Sequence, residues 1–295
     1  MLNVLITGST GFIGNHLKTH FDGIYNLILP FRDDLKSDTL LDGIDIVIHL
    51  AGKAHDTNDV ANLNEYIISN TNLTNSLFDK FLNSDSSVFI FMSSILVLCP
   101  DSITPLTEVM TPNPLSNYSK SKYESELYIS NSKLPQGKRF YILRPPLVYG
   151  KGNKGNLMLL YDFIKKIPFW PLGNYTSLRS FCDIRNISFV IQQLIRNQEI
   201  ENGIYHVADN QIYNLNLLYS SISLFVGKNP HVINFPKFIV HSICILGSVF
   251  NFSFNLSRLK KITSSLLVSN TKVKVAVNSD LPYGGMDDLM ESLKK

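Results

Sequence analysis

The sequence predicts an α/β chain: a doubly wound parallel sheet, with a smaller lobe formed by its later half. Three observations predict it. Short, wholly apolar runs alternate with stretches of helical periodicity up to Gly150, a glycine turn joins the first run to the first helix, and after Gly150 the alternation gives way to irregular glycine and proline punctuation.

Taken in order, Asn3–Thr7 reads as a buried strand, residues 8–14 as a turn and residues 13–21 as a helix. Residues 25–31 read as a second strand, which completes a βαβ start. Residues 44–50 and 88–92 are further apolar runs, and the polar stretch 62–82 between them reads as helical. Strands without polar alternation are buried on both faces, the mark of a parallel sheet covered by helices. Residues 140–143 supply another strand before the Arg144-Pro-Pro146 break. Beyond it, Gly152, Gly155, Pro168, Pro171 and Gly173 interrupt the pattern. Residues 1–150 are therefore expected to form the first domain, with segments near 175–208 returning to it, and 151–295 to form mainly the second lobe.

Composition narrows the function. With 295 residues, 44% apolar and 17% charged, the chain is globular rather than disordered or fibrous. A net charge of +3 with interspersed signs offers no polycation to follow a phosphate backbone, so nucleic acid is not an expected partner. Cys99, Cys182 and Cys244 stand too far apart for a metal pair or a disulfide framework, which predicts a reducing, cytoplasmic setting and no metal. His49 and His55 have no companion at ligand spacing and read as packing or solvent-facing imidazoles. The first residues run straight into a strand, leaving no room for a signal peptide. Residues 238–256 contain no Asp, Glu, Lys or Arg, long enough for a crude membrane-span test. His241, Ser242, Asn251, Ser253 and Asn255 interrupt them, while Ile239, Val240, Ile243, Leu246 and Phe250 fall at helix-face spacing. A helix packed within the lobe is expected, with peripheral membrane contact as the alternative.

Gly8-Ser-Thr-Gly11-Phe-Ile-Gly14 lies where a strand hands over to a helix. Gly8 suits the tight turn, Gly11 lets backbone approach a pyrophosphate, and Gly14 allows close packing of helix on strand. The helix start then directs N–H groups and its positive dipole end at phosphates. This is a Rossmann-type dinucleotide site in its expected context. Tyr118-Ser-Lys-Ser-Lys122 sets a phenol and an ammonium one helical turn apart on one face. A nearby ammonium and a cationic nicotinamide would favour the phenolate, making the hydroxyl a proton donor and acceptor near neutrality. Ser93 and Ser94 end the 88–92 strand, and open α/β sheets hold ligands at the carboxyl ends of their strands.

The turn Thr7-Gly-Ser-Thr-Gly-Phe-Ile-Gly14 and Ser94, placed 24 residues before Tyr118, resemble the extended short-chain dehydrogenase/reductases of the NAD-dependent epimerase/dehydratase kind. The resemblance implies Ser94, Tyr118 and Lys122 as the catalytic set. It implies Gly8, Thr10, Gly11, Phe12, Ile13 and Gly14 around the dinucleotide phosphates, and Asp34-Leu35 beside the adenine. The acid that holds a ribose 2′-OH belongs after the second strand, where Phe31-Arg32 stand; Arg32 would pair with a 2′-phosphate, which favours NADP, with NAD as the alternative. His49-Leu50-Ala51-Gly52 resembles the loop past the nicotinamide ribose, Asn70 and Thr74 the Asn-x-x-x-Thr helix motif, and the stretch holding Pro145 the segment near the carboxamide. Arg179, with Arg258 as a second candidate, is implied in neutralising the diphosphate of a nucleotide-sugar substrate, most simply UDP-linked. A homodimer through the Tyr118 helix is also implied.

Sugar 4,6-dehydratases of that family carry acids directly after the active-site hydroxyl residue, where this chain has Ile95-Leu96. Dehydration is thus disfavoured. Resemblance to bacterial O-antigen and surface-polysaccharide enzymes points first to reduction of a UDP-4-keto-6-deoxy-N-acetylhexosamine at C4, and alternatively to a UDP-hexose or UDP-N-acetylhexosamine 4-epimerase. A non-catalytic dinucleotide-binding sensor is the reading from another class, since a fold does not specify its chemistry.

Overall fold

The computed structural model describes residues 1–53, 62–153, 156–249 and 256–294, so His55 and residues 250–255 lie outside the described residues. In chain order the strands are β1 (Asn3–Thr7), β2 (Asn26–Ile28), β3 (Ile46–His49), β4 (Val88–Met92), β5 (Ser102–Leu106) and β6 (Arg139–Arg144). They continue as β7 (Leu147–Tyr149), β8 (Leu178–Asp183), β9 (Gly203–His206), β10 (Ile212–Asn214) and β11 (Leu266–Val268). The helices are α1 (Phe12–Phe21), α2 (Leu63–Tyr66), α3 (Leu73–Leu82), α4 (Asn117–Asn131), α5 (Asn156–Lys166) and α6 (Ile184–Arg196). The later ones are α7 (Leu215–Phe225), α8 (Lys237–Val249), α9 (Leu256–Thr263), α10 (Thr271–Val277) and α11 (Met286–Ser292).

Six strands form an all-parallel sheet in the order β2-β1-β3-β4-β6-β9. All five residues of β4 are buried, as a strand covered on both faces requires. One face packs against α1, α6 and α10 through Leu17, Ile187, Ile191 and Val273; the other packs against α3 and α4 through Leu77, Phe78, Phe81 and Ile129. In α6, Ile184, Ile187, Ile191, Leu194 and Ile195 recur at three- and four-residue spacing, which makes the inward stripe. Its N-terminus is capped by Asp183, whose carboxylate accepts from Arg185 N at 2.8 Å. The lobe has its own core around Trp170, Tyr213, Tyr219 and Leu259, and a second sheet in the order β10-β8-β11-β5.

Two expectations change. The second strand ends at Ile28 rather than residue 31, because Pro30 has no N–H to extend the ladder. The helix expected over 62–82 is three pieces: α2, one π-helical stretch at Ile67–Asn72, and α3. Among the described residues no helix is long and apolar enough to cross a membrane.

Candidate active site

After β1 the chain steps to β2 on one side, while β3 lies on the other, so the carboxyl ends of β1 and β3 border the sheet's switch point. Both loops leaving those ends are bare backbone in close contact. Gly8 has φ +69°, and a Cβ there would lie 2.8 Å from Ala51 N. A Cβ on Gly14 would press on the Gly8 carbonyl and lie 2.7 Å from Ser9 Cα, so helix and turn meet only because the side chain is absent. Gly11 is the α1 N-cap and exposed, beside exposed Thr10, while Phe12 and Ile13 are half-buried. The first N–H groups of α1 are thus uncovered toward the crevice, and the residues here fit a dinucleotide.

A buried polar chain sets this loop pair. The Thr7 hydroxyl accepts from Leu50 N at 3.2 Å and Ala51 N at 3.1 Å, and bonds His49 Nδ1 at 2.7 Å. His49 Nε2 bonds Thr74 Oγ1 at 2.9 Å. Burial, then the Lys122 charge, lowers the His49 pKa to about 3, so this imidazole is a neutral tie.

At the adenine end the placement is looser. Arg32 and Asp34 are exposed in the turn beyond β2, Asp34 accepting from Phe31 N at 2.7 Å, and Leu35 is buried.

The three residues expected to react come together at the end of β4. A capping box between Ser116 and Ser119 starts α4, which puts Tyr118 in its first turn and Lys122 one turn further on. Ser94 caps the short turn Ile95–Val97, accepting from Leu96 N at 3.3 Å, and its side chain is hydrogen-bonded to Tyr118. Lys122 Nζ donates to Met92 O at 2.9 Å and stands 4.6 Å from the Phe91 ring centroid. Gly52 closes the group: a Cβ there would lie 2.7 Å from Asn70 Oδ1 and 3.7 Å from Lys122 Nζ. Asn70, on the π-helical stretch, accepts from Lys53 N at 2.6 Å and donates to Ser121 Oγ at 3.0 Å. It clamps the post-β3 loop to α4, and the break in helical repeat is what turns its amide there.

Burial dominates the protonation of this pair. It raises the Tyr118 pKa to about 12, against the lowering effect of the Ser94 bond, and lowers Lys122 to about 8, against the Glu126 carboxylate. In the protein alone the phenol therefore stays protonated at neutral pH.

Glu126, absent from the sequence reading, and Arg144, read there only as the end of a strand, complete the site. Glu126, one turn beyond Lys122, is fully paired with buried Arg144, which donates from Nε at 2.9 and 3.2 Å. Ser93 donates to the same carboxylate. The two serines are thereby separated: Ser93 faces the buried ion pair and Ser94 faces Tyr118. Four-residue spacing from Lys122 was the signal that could have found Glu126. Pro145, buried next to Arg144, accepts from Ile95 N at 3.0 Å and so holds the Ser94 turn.

Of the two arginines expected at the diphosphate, Arg179 is turned to the C-terminal end of α9 and Arg258 belongs to α9 itself. Arg179 lies on β8 and donates to Ser264 Oγ at 2.8 Å and to the Lys261 carbonyl, with its pKa lowered by burial; Arg258 is an exposed residue of α9 itself. No group of His, Cys, Asp or Glu able to hold a metal occurs among the described residues.

The chain is 26% identical, over 92% of its length and 84% of the relative, to an N-acetyl-alpha-D-glucosaminyl-diphospho-ditrans,octacis-undecaprenol 4-epimerase of Escherichia coli O157:H7. Its fold matches the UDP-glucuronic acid 4-epimerase of Bacillus cereus in complex with NAD, with TM-score 0.72, 18% identity and 99% and 97% of the two chains covered. It also matches RMD of Pseudomonas aeruginosa complexed with NADPH, with TM-score 0.74, 19% identity and 99% and 96% covered. Residues 4–208 fit the NAD dependent epimerase/dehydratase family, and with the glycine turn, Ser94, Tyr118 and Lys122 falling inside that span, the chain belongs to this family.

Proposed function

We propose that the chain is an NAD(P)-dependent 4-epimerase of a nucleotide sugar, a UDP-hexose or UDP-N-acetylhexosamine, with NAD before NADP. The observation that carries this is the Ser94–Tyr118 hydrogen bond beside Lys122, with Ile95 and Leu96 where a dehydratase needs acids. The named activity of the Escherichia coli relative and the NAD of the Bacillus cereus complex favour this over the 4-ketoreductase expected first.

The exposed start of α1, the Leu50-Ala51-Gly52 loop, Asn70 and Pro145 would hold the dinucleotide. When bound, it supplies reversible two-electron oxidation at the sugar C4. Ser94 Oγ and the Tyr118 hydroxyl grip the C4 oxygen; Tyr118 takes its proton in one direction and returns it in the other. Lys122, anchored on the Met92 carbonyl, holds positive charge beside the phenol. Arg179 neutralises the diphosphate.

The test is purified protein with UDP-N-acetylglucosamine or UDP-glucose and NAD, followed by product NMR and nicotinamide absorbance. Conversion of the sugar at C4 without net cofactor change supports the epimerase. Net oxidation of NADPH by a UDP-4-keto sugar would replace it with the reductase, and inertness toward every sugar nucleotide with intact NAD binding would leave a sensor.

A further inference from the structure

Helix α8 is apolar on both sides. Its inward side, Val240 and Cys244, joins the lobe core together with Leu259 of α9. Its outward side carries Phe238 at 71%, Ile243 at 55%, Ile245 at 49% and Leu246 at 58% exposure, interrupted by exposed His241 and by Ser242, whose hydroxyl donates to the Phe238 carbonyl. A helix lying on a domain ordinarily turns charge to water opposite its buried stripe. Here residues 238–249 contain no Asp, Glu, Lys or Arg, so water faces side chains that gain by leaving it.

Charge says what can cover this face. Between Asp209 and Asp280 the chain has no acidic residue, while it carries Lys228, Lys237, Arg258, Lys260, Lys261, Lys272 and Lys274. These exceed the +3 of the whole chain, so the remainder is net acidic. Lys237 begins α8, and exposed Lys260 and Lys261 lie on α9, which packs against α8. A largely apolar face on a helix pair, α8 and α9, that carries cations and no acid complements a surface that is apolar within and anionic at its boundary. The thirteen residues of α8 span about 20 Å, short of the ~30 Å hydrocarbon core, so the helix would lie flat rather than cross.

We propose that the outer face of α8, with Lys237, Lys260 and Lys261 at its rim, docks the protein on an anionic lipid bilayer. The inference is independent of the reaction proposed above, since none of these side chains is assigned a part in it. It is tested by flotation of the full chain with vesicles of phosphatidylcholine alone or mixed with phosphatidylglycerol. Binding to the mixed vesicles is expected, weakening as salt is raised and nearly absent on phosphatidylcholine alone. Each lysine near such a surface is worth roughly fivefold in partitioning, so Lys260→Glu with Lys261→Glu should reduce binding by well over an order of magnitude. Phe238→Ser with Ile245→Ser should abolish it while shifting the melting temperature only slightly, because both side chains are largely exposed. Failure to float with the mixed vesicles, or equal flotation of both double variants, would overturn the proposal. So would concentration-dependent self-association that Ile245→Ser abolishes without any vesicle binding, since a second copy would then be the occupant.

Discussion

Tyr118 sits between two opposed influences. Burial favours the neutral phenol, whereas the Ser94 bond favours the phenolate, and burial is the larger effect in the protein alone. A phenol so placed contributes through its proton. Tyr118→Phe is therefore expected to lower turnover by roughly 10²–10⁴ with little change in NAD(P) affinity, measured by steady-state rates beside a fluorescence titration of cofactor. Wild-type rates would remove Tyr118 from the mechanism. Behind it, Glu126 and Arg144 neutralise each other out of water. Glu126→Gln would leave the guanidinium buried beside a neutral amide, and about 3–5 kcal/mol of stability should be lost in chemical denaturation. An unchanged midpoint would mean that water reaches Arg144.

Among the elements, the first turn and the π-helical stretch do the positioning. The turn was legible because each glycine answers a separate steric demand, and two of those demands are now visible as atoms: Ala51 N against Gly8, and Ser9 Cα against Gly14. Gly14→Ala must separate α1 from the turn, and overpacking of this kind costs about 1–3 kcal/mol. Weaker NAD(P) binding together with a lower melting temperature is the expected result, read by titration and thermal denaturation; unaltered cofactor affinity would show that α1 can shift without disturbing the crevice. The π-helical stretch was not legible. Residues 62–82 have acceptable helical periodicity throughout, and the wider turn accompanies tertiary contacts, those of Asn70 with Lys53 and Ser121 and of Thr71 with the Ser121 carbonyl and Glu124.

Over the whole molecule, buried titratable groups set the response to acid. Burial lowers the pKa of both His49 and His206 to about 3, with Arg144 adding to the effect on His206. Unfolded, each would take a proton near pH 6.5, so from there down to about 3 the unfolded chain binds more protons and stability falls as pH falls. Asp209 acts the other way. Burial raises its pKa to about 7, so between there and its ordinary 3.8 the folded chain binds the extra proton and stability rises as pH falls. With two groups against one, denaturation midpoints should decline from pH 6.5 toward 3. Asp209→Asn can keep accepting from Asp183 N and Asn186, and is expected to be more stable than wild type at pH 8 and to lose stability more steeply in acid. A pH profile parallel to wild type would show that Asp209 does not titrate in this range.

The sequence by itself determined the parallel sheet, the close-packed glycine turn after its first strand and the one-turn spacing of Tyr118 and Lys122, because each depends on local rules: burial on both strand faces, backbone reach at a glycine, one turn of a helix. The second strand is shorter than its apolar run because Pro30 cannot donate to the ladder. Tertiary structure decided what depends on neighbours distant in the chain. It separated Ser93 from Ser94 through Glu126, seated Arg179 against α9, and made burial the largest influence on the phenol, ahead of the Ser94 bond. Desolvation and long-range ion pairing depend on which surfaces meet, and no pattern of residue spacing specifies that meeting in advance.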